Sequence, residues 1–218
     1  MTRVKICGIR NKTHALAAIE AGADFIGLVL APSPRQVNLA QAQKIAAAVK
    51  EYSQATQVVG VFVNMPAIMV NKSAHYCNLD WVQLSGDEPW DYCQQIEKPI
   101  IKVMRIKPGQ EPQQICQCLA MGAKLLANQR HIYLLDSHAK ERYGGTGTAF
   151  DWSLAREAVK LFPVIIAGGL TPESVAEVIR MIKPWGVDVS SGVEVNGIKD
   201  TGKIRAFIEA VRRADEKR

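Results

Sequence analysis

The chain has 218 residues, 48% hydrophobic and 22% charged, the make-up of one large globular domain or two small ones. No apolar stretch reaches the length of a membrane-spanning helix, so no membrane partner is expected. The net charge of +6 suits an anionic partner, but no run of basic residues interleaved with aromatics marks a nucleic-acid face, so a small phosphorylated ligand is the expected anion.

The chain starts directly in a strand-like run with no signal segment ahead of it, which points to a cytoplasmic protein. The five cysteines, at 7, 77, 93, 116 and 118, form no disulfide framework. Cys116 and Cys118, or His75 and Cys77, lack the second half-site that a zinc centre needs, so no metal and no other cofactor is expected.

Apolar runs and helical periods alternate along the whole sequence. A strand at 4–7 precedes a helix at 13–21 that Gly22 stops. A strand at 25–30 precedes a helix at 39–49 with Asn38 as its N-cap. The next pairs are 58–63 with 66–77, 81–84 with 90–96, and 100–106 with 112–121, the last helix closed by Gly122. Then come 132–135 with 152–161 after a long loop, and 164–167 with 172–182, where Thr171 caps and Pro172 fits the first turn. The last pair is 187–189 with 202–213. Strands alternating with helices at this spacing are parallel and joined by crossovers. Eight such units predict an α/β fold of the (β/α)8 TIM-barrel type, a closed eight-stranded parallel sheet in a single domain spanning 1–218. Oligomeric state is not legible, because Trp81, Trp90, Trp152 and Trp185 suit a core or an interface equally.

Such barrels place their chemistry at the C-terminal ends of the strands. Cys7-Gly8, Pro32-Ser33-Pro34-Arg35, Asp136-Ser137, Gly168-Gly169 and Ser190-Ser191-Gly192 all follow strand runs, which brings them to one mouth. The glycines after strands seven and eight let backbone N–H groups approach an anion, and a short helix starting near Ser191 would aim its amides at the same point. Gly168, Gly169, Ser190, Ser191 and Gly192 are therefore the candidate phosphate site. Lys and Arg are absent from these segments, so the expected grip is mainly backbone.

Cys7 and Asp136 end strands one and six. A free cysteine is ordinarily a small buried hydrophobe, and an acid after a strand often only caps a turn. Here the two face a phosphate site, and a glycine-rich loop, Tyr143-Gly144-Gly145-Thr146-Gly147-Thr148, follows Asp136 as a lid would. A thiolate that takes a proton and a carboxylic acid that gives one equip an aldose-to-ketose isomerase acting on a sugar phosphate.

The ordered set Lys5-Ile6-Cys7-Gly8, Gly60-Val61-Phe62-Val63-Asn64, Leu134-Leu135-Asp136-Ser137, Gly144-Gly145-Thr146-Gly147 with Phe150-Asp151-Trp152, Gly168-Gly169-Leu170-Thr171 and Asp188-Val189-Ser190-Ser191-Gly192-Val193-Glu194 resembles the phosphoribosylanthranilate isomerase family of tryptophan biosynthesis. The resemblance implies an Amadori rearrangement of N-(5-phosphoribosyl)anthranilate, with Asp136 as general acid on the ribose ring oxygen and Cys7 as general base at C2. It makes Arg35 the partner of the anthranilate carboxylate, a planar anion that suits a guanidinium. Two departures stand out: Ser85 in Gln83-Leu84-Ser85-Gly86 replaces the family's usual histidine, and the loop Ala31 to Arg35 is short, with Leu28 and Leu30 where aromatics are frequent.

The rival readings are another sugar-phosphate barrel enzyme and a non-catalytic phosphate-binding barrel. An indoleglycerol-phosphate synthase needs lysine and glutamate at several strand ends, which only Lys102 echoes. A metal-dependent epimerase needs histidine and aspartate ligands that the four histidines do not supply.

Overall fold

The computed structural model describes residues 1–107, 109–137 and 151–217. Among these residues, eight parallel strands close into a barrel, each hydrogen-bonded to the next and β8 to β1. They are β1 (Arg3–Cys7), β2 (Phe25–Val29), β3 (Gln57–Phe62), β4 (Trp81–Leu84), β5 (Ile100–Ile106), β6 (His131–Ser137), β7 (Val164–Ile166) and β8 (Gly186–Val189). The helices between and after them are α1 (Lys12–Ala21), α2 (Leu39–Tyr52), α3 (Ala67–Tyr76), α4 (Trp90–Cys93), α5 (Pro112–Leu125), α6 (Ala158–Leu161), α7 (Val175–Ile182) and α8 (Thr201–Glu216). A small antiparallel pair, β9 (Glu194–Val195) with β10 (Ile198–Lys199), follows β8 and has no counterpart in the pattern of the sequence.

Alternation along each strand sorts the side chains. Residues of one parity face the helices and build the main core, with Val4, Ile6, Ile26, Leu28, Val82 and Leu84 among them. Residues of the other parity fill the barrel. Phe25, Val59, Trp81, Ile101, Ile132 and Ile165 form its lower layers, and Cys7, Val29 and Val61 a small group at the top. The floor is aromatic: Phe25 meets Trp81 edge-on at 6.1 Å and Trp185 at 6.0 Å. Two of the four tryptophans are therefore core plugs. No helix among the described residues is long and apolar enough to cross a membrane.

The capping expectations hold where side chains supply the missing acceptors. Asn38 accepts from Gln41 N at 2.8 Å and starts α2, and α1 stops at Gly22 in the left-handed region with φ 99°. Several boundaries differ. Helix α4 is a single turn, and residues 95 and 96 continue it only in tighter i to i−3 bonds. The segment expected as a helix at 152–161 splits into a 3-10 turn, Trp152–Ala155, and the short α6. Helix α7 begins at Val175 rather than Pro172; residues 172–174 form a turn in which Thr171 Oγ1 accepts from Ser174 N at 3.3 Å. Helix α5 runs through Gly122 to Leu125.

Gly122 is thus a contact residue and not a stop. A Cβ built on it would lie 2.5 Å from the ring of Trp90, which is itself packed edge-on to Tyr133. Gly122→Ala is expected to lose about 1–3 kcal/mol by overpacking, despite alanine's better helix propensity, as measured by urea unfolding.

Candidate active site

The barrel's inward parity continues past the apolar layers into polar residues at the C-terminal ends of the strands. Cys7, Gln83, Ser85, Arg105, Asp136, Asp188 and Ser190 line one hollow, together with Arg35 and the apolar Val29, Val61, Val103 and Leu134. A second, smaller hollow lies between the loops after β7 and β8, lined by Gly168, Gly169, Leu170, Ser190 and Ser191. The two adjoin, sharing Asp136, Asp188 and Ser190. Of the candidate catalytic and substrate-binding residues, Cys7, Arg35, Asp136, Gly168, Gly169, Ser190 and Ser191 line these hollows and Gly192 does not. Its place is structural: a Cβ there would fall 1.9 Å from the carbonyl oxygen of Leu170, so only glycine lets the two loops close on each other. The expected short helix is present as a 3-10 turn, Ser191–Val193. The glycine-rich stretch Tyr143 to Thr148 lies outside the described residues.

Asp136 sits within β6, paired in register with Arg105 of β5, rather than after the strand. Its Oδ1 accepts from Ser137 N at 2.8 Å. Gly168, at φ 86°, packs over it; a Cβ there would stand 3.0 Å from the same oxygen. Burial pushes the carboxyl up to about 6, opposed by the Ser137 N–H and aided by Asp188. Cys7 is only 8% exposed, and burial raises its thiol above the ordinary value, with Lys5 and Lys199 pulling the other way. The desolvated carboxyl thus favours its protonated, proton-donating form more than a free aspartate does.

Arg35 reaches the mouth from the loop after β2 and is held there by Glu194. Its Nε and Nη2 donate to the two carboxylate oxygens, each at 2.7 Å. Lys199 of β10 donates to the same carboxylate at 2.6 Å and to the Ser190 carbonyl at 2.8 Å. Between the two cations Glu194 is held down to about 2 despite its burial. A buried lysine thus stands directly behind Ser190, adding charge to a loop whose own grip on an anion was expected to be mainly backbone. Lys199 lies outside the motif, on a hairpin too short for any periodicity to show.

Two further cations were missed or misplaced. Arg105 lines the hollow beside Ser85, donating from Nη2 to the Ser85 carbonyl, and so brings positive charge to the corner where serine removed a histidine. Inward parity on β5 was the available signal. Lys102, by contrast, does not reach the mouth. It has the opposite parity and is buried against the helices, donating to Glu88 at 3.0 Å. The echo of a synthase lysine is thereby removed.

Residues 4–210 match the family model described as N-(5'phosphoribosyl)anthranilate (PRA) isomerase. The N-(5'-phosphoribosyl)anthranilate isomerase of Dehalococcoides mccartyi is 44% identical over 218 residues, covering 100% of this chain and 99% of that protein. The crystal structure of phosphoribosyl anthranilate isomerase from Thermotoga maritima superposes with a TM-score of 0.84 at 35% identity, covering 98% of this chain and 100% of that one. A crystal structure of such an isomerase in complex with reduced 1-(o-carboxyphenylamino)-1-deoxyribulose 5-phosphate gives a TM-score of 0.81 at 34% identity, with 98% and 100% covered.

The raised carboxyl has a thermodynamic consequence. Folded Asp136 holds its proton to about pH 6, against an ordinary value of 3.8, so folding stability falls as pH rises between those values. Asp136→Asn removes the penalty. Urea unfolding is expected to show the variant more stable than the parent by about 1–3 kcal/mol at pH 7, with the gain vanishing near pH 4.

Proposed function

The chain belongs to the N-(5'-phosphoribosyl)anthranilate isomerase family, and we propose that Asp136 and Cys7 are the acid and base of its reaction. It is an isomerase of tryptophan biosynthesis, converting N-(5-phosphoribosyl)anthranilate to 1-(2-carboxyphenylamino)-1-deoxyribulose 5-phosphate. The observation that carries the assignment is the place of Asp136: a partly buried, proton-retaining carboxyl on the border between the hollow that Cys7 lines and the hollow between the β7 and β8 loops.

In this reading the substrate's phosphate lies in the smaller hollow, against the backbone of Gly168, Gly169, Ser190 and Ser191, with Gly192 keeping the loops closed and Lys199 supplying charge from behind. The ribose then bridges the border. Asp136 gives its proton to the ring oxygen as the bond from that oxygen to C1 breaks, and the arylamine nitrogen lone pair forms an iminium. Cys7 takes the proton from C2, and the electrons of that bond neutralise the iminium to give an enolamine. The enolamine becomes the ketone when the C2 hydroxyl loses its proton and C1 gains one. The anthranilate ring is left to the apolar side of the larger hollow, at Val29, Val61 and Val103. Glu194 takes one edge of the Arg35 guanidinium, and the Nη1 edge remains for the substrate carboxylate.

The productive state needs a protonated Asp136 and an ionised Cys7. The carboxyl titrates near 6 and the thiol above its ordinary value, so only a minor fraction of the enzyme is in that state at any pH. Catalytic efficiency is expected to rise up to about pH 6, run flat, and fall only above the thiol's pKa. Turnover of freshly made phosphoribosylanthranilate, followed by its fluorescence, checks this. Cys7→Ser and Asp136→Asn are each expected to lose about 100-fold to 10,000-fold in kcat; a variant with near-full turnover removes that residue from its role. Phosphate-analogue binding without turnover by the parent chain would instead favour a non-catalytic barrel.

A further inference from the structure

Lys5 is buried with no exposed surface in the interior of the barrel, two residues before Cys7 on the same face of β1. The layer around it is otherwise apolar or small: Phe25 lies opposite in the β2 register, and Gly27 lies opposite Cys7. Its partner is Asp188, its register neighbour on β8, whose Oδ1 accepts from Lys5 Nζ at 2.9 Å. Taking both charges out of water costs several kcal/mol per ion, and an apolar pair of similar volume is often as stable or more so. Packing alone therefore gives no reason for a lysine at this depth.

The space beside it does. A Cβ at Gly27 would lie 3.2 Å from Lys5 Nζ and 2.9 Å from Cys7 Sγ, so ammonium and sulfur border the same small gap, which only a missing side chain keeps open. We propose that Lys5 is a positioning residue for Cys7: its ammonium, aimed by Asp188, is the fixed counter-charge to the thiolate that accepts the substrate's proton. The proposal rests on Cys7 being the base of the isomerisation. Lys5 itself touches no substrate, since it lies a layer below the mouth.

The other charges facing Cys7 define what Lys5 must outweigh. From β8, Asp188 opposes ionisation of the thiol. From β10, Lys199 favours it, though Glu194 holds that lysine. Arg35, above the sulfur in the loop after β2, is likewise paired with Glu194. Across the mouth Asp136 is largely neutral below about pH 6. Neighbouring β2 contributes Gly27 and no charge. Of these cations Lys5 acts most strongly on the thiol, and its carboxylate, unlike Glu194, holds no second cation among the described residues. Burial alone would pull it toward neutrality, and Asp188 and Cys7 together keep it protonated.

The two members of the pair should move the thiol in opposite directions. The pKa of Cys7 is to be read from ultraviolet thiolate absorbance against pH, in the absence of substrate, with Cys7→Ser as the blank. Lys5→Met is expected to raise it by about one unit or more, and to lower the flat part of the efficiency profile by the same factor. Asp188→Asn, which leaves the whole ammonium to the sulfur, is expected to lower it. A purely structural pair would destabilise the fold in both variants without this reversal of sign. An unmoved thiol in Lys5→Met, or an unmoved or raised one in Asp188→Asn, overturns the proposal. Lys5→Met leaves Asp188 buried without its ion-pair partner; where that variant does not fold, the direction in Asp188→Asn alone decides. Because the titration needs no substrate, its failure is distinct from failure of the isomerase assignment, which would show as absent turnover in the parent chain.

Discussion

Closure of the barrel is the constraint from which the site follows. A strand in a closed parallel sheet has one face toward the helices and one toward a space a few side chains wide. Once Phe25, Trp81, Ile101 and Ile132 have filled the lower part of that space, the next inward residues toward the C-terminal ends must share what remains. Gln83, Arg105 and Asp136 meet there because each lies an even number of residues from Trp81, Ile101 or Ile132 on its own strand, and Cys7 and Asp188 because Cys7 pairs in register with Gly27 and Asp188 with Lys5. No long-range recognition among them is required; the hydrogen-bond register that closes the sheet, such as Lys5 opposite Asp188 or Arg105 opposite Asp136, also sets their spacing.

The mouth is then made rigid by charge. Arg35 comes from a loop after β2 that has little secondary structure of its own, yet it is clamped by Glu194, which Lys199 also holds. One buried carboxylate thereby ties the β2 loop to the segment after β8, on either side of Cys7. A bidentate arginine pair with low exposure differs from a surface ion pair in that its partners lose much of their solvation if separated. Losing Glu194 would leave two buried cations beside the sulfur and release both loops. On the opposite wall Glu88 has a similar task at a distance from the chemistry: it accepts from the backbone N–H of Asn64 and of Gly86 while pairing with Lys102, and so fixes the turn that carries Ser85.

What the sequence disclosed and what it hid divide along the same physical line. Alternation of apolar runs and helical periods gives strand count, order and the position of every residue just beyond a strand, so the barrel and the gathering of Cys7, Arg35, Asp136, Gly168, Gly169 and Ser190 at one mouth were legible. Parity within a strand was equally available for Arg105 and for the outward-facing Lys102, but it needs the register of the whole strand, and β6 proved longer at its C-terminal end than its apolar run. Hidden altogether were contacts that depend on closure: Lys5 with Asp188 across 183 residues, Arg35 with Glu194 across 159, and Gly192 against the Leu170 carbonyl. Helix ends were misjudged where a glycine serves packing rather than termination, as at 122.

The acid and the base make opposite demands on one environment. Burial serves Asp136, since it favours the neutral acid, and works against Cys7, since it favours the neutral thiol. A uniformly apolar mouth would therefore give a good acid and a poor base, and a uniformly wet one the reverse. The structure separates the two by direction rather than by depth. The cations that act most strongly on Cys7, Lys5 and Lys199, are on the strand and hairpin to its own side of the barrel, whereas Asp136 feels the anionic Asp188 more than the opposing pull of either Arg105 or Lys5. Asp188 stands between them and raises both groups directly, which serves the acid and opposes the base, while the Lys5 ammonium that it holds offsets its effect on the base.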